Sequence, residues 1–285
     1  MSVLKIAIQK GGRLSDRSVD LIRECGINLT NGSRKLLSKS GNFPLEIMYL
    51  RDDDIPRYVS DGVADIGIVG ENVVEEEKAE VDRLEKLSFA KCKMSLAIPK
   101  NMNYQGIDFF NNKKVATSFP TILQSYFNKK NIQAEVHEIS GSVEIAPGIG
   151  LADAIFDIVS TGSTLISNGL KEVEVVMNSQ AVLISNKTLD EKKNKILNRF
   201  LFRIRSVKKA RNNKYILLNA PNEKLEEITQ MIPGMKSPTV MPLAEEGWSS
   251  VHSVLNENAF WEVIDQLKEK GAQGILVVPI EKMIV

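Results

Sequence analysis

Two carboxylates and a hydroxyl-rich turn stand together in the stretch Asp153–Leu165, DAIFDIVSTGSTL. Ser160, Thr161, Gly162, Ser163 and Thr164 bring five backbone N–H groups and four hydroxyls into a short space, the donor set of a phosphate site. Gly162 can take positive φ or let the backbone approach an anion closely. Apolar spacing from Leu165 onward suits a helix start whose dipole favours the same anion. An anion loop alone has no use for neighbouring acids, but a ribose phosphate does. With its 5-phosphate in the loop, its 2′ and 3′ hydroxyls can donate to Asp153 and Asp157, which would also stabilise positive charge growing on the sugar ring. The plainer alternative makes Asp157 a helix cap and the loop an ordinary surface turn.

Other segments offer complementary groups. Lys10 and Arg13 flank the glycine pair of QKGGRL after a predicted strand, so their cations could meet a triphosphate or pyrophosphate; a solvated basic turn is the alternative. In ADIGIVGEN, Gly67 and Gly70 leave room for a base or phosphate to approach the backbone, while Asp65, Glu71 and Asn72 supply polar groups. The same glycines would serve a turn packed closely on a helix. Glu144 follows the strand AEVHEIS and could reach sugar or base. Thr117 and Ser118 could extend a polar wall or cap a helix. In RDDDIP, Asp54 is expected to N-cap the helix that Pro56 opens, with Asp52 and Asp53 favouring its dipole or lining a cleft. His137 alternates with Val136 and reads as a sheet residue. Trp248, Phe260 and Trp261 read as core or interface, and Cys25 and Cys92 as small buried hydrophobes.

Composition narrows the classes. Lys plus Arg number 37 against 36 Asp plus Glu, so no excess of positive charge drives nucleic-acid binding, and any anion must be captured locally. With two histidines in the chain a His-rich zinc site is not expected, and no protein ligand for a metal can be named. The opening MSVLKIAIQKGGRL lacks the apolar core of a signal peptide, and no run approaches the roughly 18 apolar residues of a membrane span. A cytoplasmic protein without a membrane partner is expected.

The elements that must position these groups follow from the hydrophobic periods. VLKIAIQ, a glycine turn and SVDLIRECG form a strand–loop–helix unit, repeated by LEIMYLR, DIPRYVSDG and ADIGIVG. A mostly parallel sheet is expected, with ligands at the carboxyl ends of its strands. A second α/β series runs from KMSLAIP through KKVATSFP, TILQSYFNKKN, AEVHEIS and DAIFDIV. The strand Glu172–Asn186 and the polar helix LDEKKNKILNRFLFRIRSVKKAR look able to return to the first lobe. From about Asn212 the order becomes β-α-β-β-α-β, the ferredoxin-like arrangement. The expected boundaries are residues 1–91 and 184–210 for the first lobe, 92–183 for the second, and 211–285 for the small domain.

The acidic pair running into a hydroxyl-and-glycine loop resembles the phosphoribosyl-pyrophosphate loop of phosphoribosyltransferases. Over its whole length the chain resembles one family, ATP phosphoribosyltransferase of the long form. The segments that carry the resemblance are IAIQKGGRLSD, LRDDDIPRYVSDGVADIGIVGENVVEE, SGSVEIAPGIGLADAIFDIVSTGSTLISNGL, KYILLNAP, PGMKSPTVMPL and GILVVPIEKM. The resemblance implies two periplasmic-binding-protein-like α/β lobes forming a cleft, followed by a ferredoxin-like (ACT-like) regulatory domain. It implies transfer of the phosphoribosyl group of phosphoribosyl pyrophosphate to N1 of ATP, the first step of histidine biosynthesis, with Mg2+ held largely by substrate oxygens. Inhibition by histidine and assembly of dimers into a hexamer come with it.

On this reading Asp153 and Asp157 orient the ribose, Ser160–Thr164 hold the 5-phosphate, and Lys10 and Arg13 act on the polyphosphate. ATP would be met by Lys10, Gly12, Arg13, Asp65, Gly67, Gly70, Glu71, Asn72 and Glu144. Met235, Ser237 and Thr239 match the family segment that contributes to the histidine pocket; the residues alone give a strand after a proline turn. Two rivals stand beside this reading: a non-enzymatic bilobed binding or sensor protein, and a phosphoribosyltransferase with another acceptor base.

Overall fold

A computed structural model describes residues 2–29 and 36–284 of the chain. The chain divides into two units, Met1–Arg23 with Ile27–Leu197, and Glu24–Gly26 with Asn198–Val285. The first unit holds two sheets. The first sheet takes in β1 (Leu4–Gln9), β2 (Leu37–Lys39), β3 (Leu45–Leu50), β4 (Ile66–Gly70) and β5 (Asp82–Lys86), interleaved with α1 (Arg13–Glu24), α2 (Ile55–Ser60) and α3 (Glu71–Glu76). The second is built from β6 (Cys92–Pro99), β7 (Lys114–Thr117), α4 (Pro120–Lys130), β8 (Glu135–Glu138), β9 (Ala154–Val159), α5 (Ser163–Ser167) and β10 (Leu170–Ser179). Then β11 (Ala181–Ser185) returns to the first sheet, giving strand orders β2-β3-β1-β4-β11-β5 and β10-β6-β9-β7-β8.

The run Glu172–Asn186, read as one strand from its apolar content, is broken at Gln180. Residues up to Ser179 pair with β6 in the second sheet, and residues from Ala181 pair with β4 in the first. Residues 181–183 therefore belong to the first lobe's sheet and not to the second's.

Register places the ligand edges. β1, β3 and β4 run parallel, as do β7, β8 and β9. Both crossovers join carboxyl edges: Ser179 and Cys92 lie beside the end of β9, where Val159 pairs with Lys93, and Ala181 pairs with Gly70 at the end of β4. The two carboxyl edges consequently lie on the crossover side of their sheets, the arrangement of a cleft between lobes.

Within the first sheet, Gly67 is a packing glycine. A Cβ there would stand 2.7 Å from Ile55 Cγ2 and 3.1 Å from Val59 Cγ2, because α2 lies directly on β4. Gly67→Ala is expected to cost about 1–3 kcal/mol of stability through overpacking, read as a lowered denaturant midpoint with turnover per folded molecule retained. Asp54 does not cap α2: its backbone is already helical at φ −80°, ψ −24°, and its side chain makes no cap hydrogen bond.

Helix α6 (Glu191–Arg211) follows β11, and the unit boundary falls inside it, after Leu197, earlier than the expected 211. Its distal half is tied into the second unit: Arg203 Nη1 donates to Cys25 O at 3.1 Å, Arg211 pairs with Glu24 at 2.7 Å, and Met283 N–H donates to Ser206 O at 3.0 Å. The remaining elements are β12 (Asn213–Pro221), α7 (Leu225–Met231), β13 (Thr239–Pro242), β14 (Trp248–Asn256), α8 (Glu257–Glu269) and β15 (Gln273–Pro279). Their antiparallel order β13-β14-β12-β15 is ferredoxin-like. Phe260 belongs to this core with Ile216, Val251 and Leu267, whereas Trp261 is 62% exposed. Cys25 is buried, and burial pushes its thiol up to about 12.

Candidate active site

Alternation along β9 decides where its acid points. Ala154 and Phe156 enter one core with Phe110 and Phe127; Ile155 and Val159 enter another with Val143, Ala146 and Leu165. With both faces of β9 buried, a register slip of one residue would carry the Asp157 carboxylate into the aromatic core of Phe110 and Phe127, so packing fixes Asp157 on the Ile155 face. That face is covered by α5 and by the 3-10 turn Val143–Ile145. Glu144, on this turn, is close enough for its charge to act on Asp157. The Asp157 carboxyl is pushed above the usual range, first by burial and then by Glu144, against the Ile158 N–H that donates to Oδ1 at 2.7 Å.

The hydroxyl loop follows at once. Gly162 caps α5 at φ +78°, with open space around its missing Cβ, so the left-handed backbone and not crowding is what requires glycine. Ser160, Thr161, Ser163 and Thr164 are exposed, and the Thr161 and Ser163 hydroxyls lie 3.0 Å apart. First-turn amides of a helix have no intrahelical acceptor, so the turn presents N–H donors beside the hydroxyls.

Asp153 is not part of this group. It precedes β9, at the opposite edge of the sheet, about 13 Å from Asp157 and about 23 Å from Ser160 at the rise of a strand. Its Oδ2 accepts the Lys114 N–H at 2.9 Å, its own N–H donates to Lys114 O at 2.8 Å, and Lys113 Nζ is 3.8 Å from Oδ1. The structure therefore does not bring Asp153 and Asp157 together; the acid nearest Asp157 in charge is Glu144.

In the first lobe Asp65 is likewise held at the amino edge of its sheet, away from the carboxyl edge. It precedes β4, is 3% exposed, and accepts Lys5 N–H on Oδ2 at 2.8 Å and Lys193 Nζ on Oδ1 at 2.7 Å. Gly67 is filled by α2 as described. Glu71 is buried and pairs with Lys86 at 2.9 Å; Asn72 is buried, its N–H donating to Ser179 Oγ at 3.1 Å and its Oδ1 accepting from that hydroxyl at 2.8 Å. Both hold the crossover together and do not line open space. Thr117 Oγ1 accepts the Phe119 N–H at 2.8 Å and Ser118 Oγ donates to Ile139 O at 2.6 Å, so these hydroxyls shape a turn. What the first lobe presents at its carboxyl edge is exposed: Lys10, Gly12 at φ +86° and Arg13 opening α1; Gly70 at the end of β4 is half-buried, and a Cβ there would meet Asn72 Oδ1 at 2.4 Å, so it is a packing glycine like Gly67.

An acid beside a hydroxyl loop thus stands on one carboxyl edge and a pair of cations on the other. Residues 51–206 match the family model described as ATP phosphoribosyltransferase. A relative of that name from Azobacteroides pseudotrichonymphae is 59% identical over 282 residues, spanning 99% of this chain and 100% of the relative. The chain belongs to the ATP phosphoribosyltransferase family. Residues 210–282 match the model described as HisG, C-terminal domain. Among solved structures, a chain of the ATP phosphoribosyl transferase (HisG:HisZ) complex from Thermotoga maritima is 29% identical with a TM-score of 0.63, covering 71% of this chain and 96% of that one. A histidine kinase sensor domain similar to periplasmic binding proteins aligns at TM-score 0.50 and 10% identity, over 73% of this chain and 90% of that one, which is a likeness of fold alone.

In the C-terminal domain of this ATP phosphoribosyltransferase chain, Met235, Ser237 and Thr239 are all exposed, Thr239 opening the edge strand β13. Thr239 pairs with His252, whose ring lies between Tyr215 OH at 2.8 Å and Ser250 Oγ at 3.0 Å. Sequence reasoning missed this polar trio, since Tyr215 reaches His252 and Ser250 only through the pairing of β12 with β14. Half-buried His137 is a residue of the edge strand β8, as its alternation indicates. Among the described residues no group of three or more His, Cys, Asp or Glu could hold a metal ion, and no helix is long and apolar enough to cross a membrane.

Proposed function

We propose that the chain performs the transfer of its family at the carboxyl edge of β9, joining C1 of phosphoribosyl pyrophosphate to N1 of ATP and releasing pyrophosphate, the first step of histidine biosynthesis. The observation that supports this most is the placing of Asp157 and Glu144 beside the Ser160–Thr164 turn, within a chain of this family. The 5-phosphate takes the turn's amides and hydroxyls, and the two carboxylates accept from the 2′ and 3′ hydroxyls. As the C1–O bond to pyrophosphate breaks and the N1 lone pair closes on C1, positive charge grows on the ring. Asp157 and Glu144 offset it, so positioning and electrostatics supply most of the acceleration. Lys10 and Arg13, with Gly12 leaving the backbone open between them, meet the polyphosphate from the first lobe.

With a pyrophosphate donor, Mg2+ would be held mostly by substrate oxygens and water. When bound it supplies charge neutralisation on the departing pyrophosphate. We assign the C-terminal domain a regulatory role: histidine bound by Met235, Ser237 and Thr239 as inhibitor, with dimers joined into a hexamer. Use of ATP and phosphoribosyl pyrophosphate supports a cytoplasmic location.

Incubating the chain with ATP, phosphoribosyl pyrophosphate, Mg2+ and pyrophosphatase is expected to raise the absorbance of the N1-substituted adenine, and added histidine to suppress that rise. Tight donor binding with no product from ATP would point to another acceptor. Product formation indifferent to histidine would remove the regulatory assignment and leave the transfer standing.

A further inference from the structure

Helix α4 opens without a cap of its own. Phe119 occupies its N-cap position and makes no side-chain cap hydrogen bond, and Pro120 at the first turn has no N–H to satisfy. Leu123 N–H reaches Phe119 O at 3.2 Å. Between them stand the amides of Thr121 and Ile122, and both donate to one carboxylate: Thr121 N–H to Glu76 Oε1 at 2.8 Å, Ile122 N–H to Glu76 Oε2 at 3.0 Å. A capping side chain ordinarily comes from within about three residues of the amides it serves. This one is the last residue of α3, in the first lobe, while α4 lies between strands of the second sheet.

The position of this clasp matters more than its strength. The lobes are joined covalently at two adjacent segments, one through Ser88 at φ 65° and Ala90 at φ 50°, the other through Gln180, where Asn72 and Ser179 bond. Two neighbouring strands of chain act as a single hinge and leave rotation about it open. Glu76 ties the lobes at a further point: α3 leaves the carboxyl end of β4, and α4 leaves the carboxyl end of β7 beside β9. Charge-assisted bonds to both first-turn amides, with the helix dipole favouring the carboxylate, make a directional clasp and not a sliding contact.

We propose that Glu76 is a positioning residue: acting through α4, it holds the second lobe's carboxyl edge at the spacing from the first at which donor and acceptor substrates meet. This inference rests on the two-substrate reading above. Glu75, the neighbour on α3 that pairs with Arg83 at 2.6 Å, provides the control.

The test compares Glu76→Ala, Glu76→Gln and Glu75→Ala with wild type in the full chain. Hydrogen exchange reads the clasp without turnover: the Thr121 and Ile122 amides are expected to exchange about 10-fold faster or more in Glu76→Ala and at the wild-type rate in Glu75→Ala. In steady state Glu76→Ala is expected to lose about 10²-fold in kcat, the scale of an ångström of misplacement. Its affinity for phosphoribosyl pyrophosphate by calorimetry is expected to stay unchanged, since the donor turn lies wholly in the second lobe. Glu76→Gln, keeping an acceptor oxygen, is expected to recover part of kcat. Wild-type kcat in Glu76→Ala overturns the proposal. So does a joint fall of kcat, donor affinity and thermal midpoint, which would mean that Glu76 merely keeps α4 folded. A wild-type chain that makes no product overturns the two-substrate reading and the positioning role with it, a result distinct from an active wild type matched by an active Glu76→Ala.

Discussion

Gly162→Val is expected to weaken phosphoribosyl pyrophosphate binding by about 10- to 100-fold while leaving the fold intact. Gly162 stands at φ +78° with nothing within 4 Å of the position a Cβ would take, so the substitution creates no clash with neighbours. What it creates is strain: a β-branched residue in the left-handed region is an outlier costing about 1–3 kcal/mol. The loop can relieve that strain by leaving the conformation that caps α5, and its amides then no longer converge. At about 1.4 kcal/mol per tenfold in affinity, the strain converts to the stated loss. Because the loop is exposed and α5 is short, the thermal midpoint is expected to move little. Calorimetry with the donor decides the matter, and an unchanged affinity would take the loop out of the site.

Asp157→Asn is expected to separate function from stability. Turnover should fall by about 10²- to 10³-fold, the scale on which removing one preorganised electrostatic group acts. Stability should hold or rise at neutral pH, for the following reason. The Asp157 carboxyl is raised by burial and by Glu144, so its ionised form is less favourable in the folded chain than in the unfolded one. Such a group adds stability as pH falls through its folded-state value and costs stability above it. The neutral amide removes that cost and can still accept the Ile158 N–H. The gain in thermal midpoint should therefore be present at neutral pH and vanish below about pH 4, where the wild-type carboxyl is protonated in both states. The acid limb of wild-type turnover should correspondingly lie above the ordinary aspartate range. A midpoint for Asp157→Asn well below wild type at neutral pH would show that the carboxylate holds the strand in place.

The strands and helices were legible because their periods are clean, and the ferredoxin-like order of the C-terminal domain could be read element by element. The pairing of Asp153 with Asp157 failed on the rise of a strand. Four-residue spacing between Asp153 and Asp157 describes neighbours about 6 Å apart on a helix but groups about 13 Å apart on a strand. The run AIFDIV, apolar and rich in β-branched and aromatic residues, is a strand. A signal for the correction was present: Ala64-Asp65 and Ala152-Asp153 are the same dipeptide before a parallel strand. Both aspartates exchange backbone and carboxylate bonds with a residue of the neighbouring strand, Lys5 in one sheet and Lys114 in the other. Each aspartate thus closes the amino edge of its sheet. Gly67 was open to a ligand or a packing reading, and only the approach of Ile55 and Val59 chooses between them. The break at Gln180 left no mark in the apolar run, and the cap that Glu76 gives α4 spans 45 residues, beyond any local motif.

The central claim is that the acidic pair of the site is Asp157 with Glu144, at one edge of the second sheet, and not Asp157 with Asp153. Steady-state turnover of Glu144→Gln and Asp153→Asn, measured side by side at saturating ATP and phosphoribosyl pyrophosphate, tests it most directly. Glu144→Gln is expected to lose about 10²-fold in turnover with a thermal midpoint near wild type. Asp153→Asn is expected to keep near-wild-type turnover and a thermal midpoint near wild type, since its amide oxygen can still accept the Lys114 N–H and only the exposed pairing with Lys113 is lost. An active Glu144→Gln beside an inactive but folded Asp153→Asn would contradict the account.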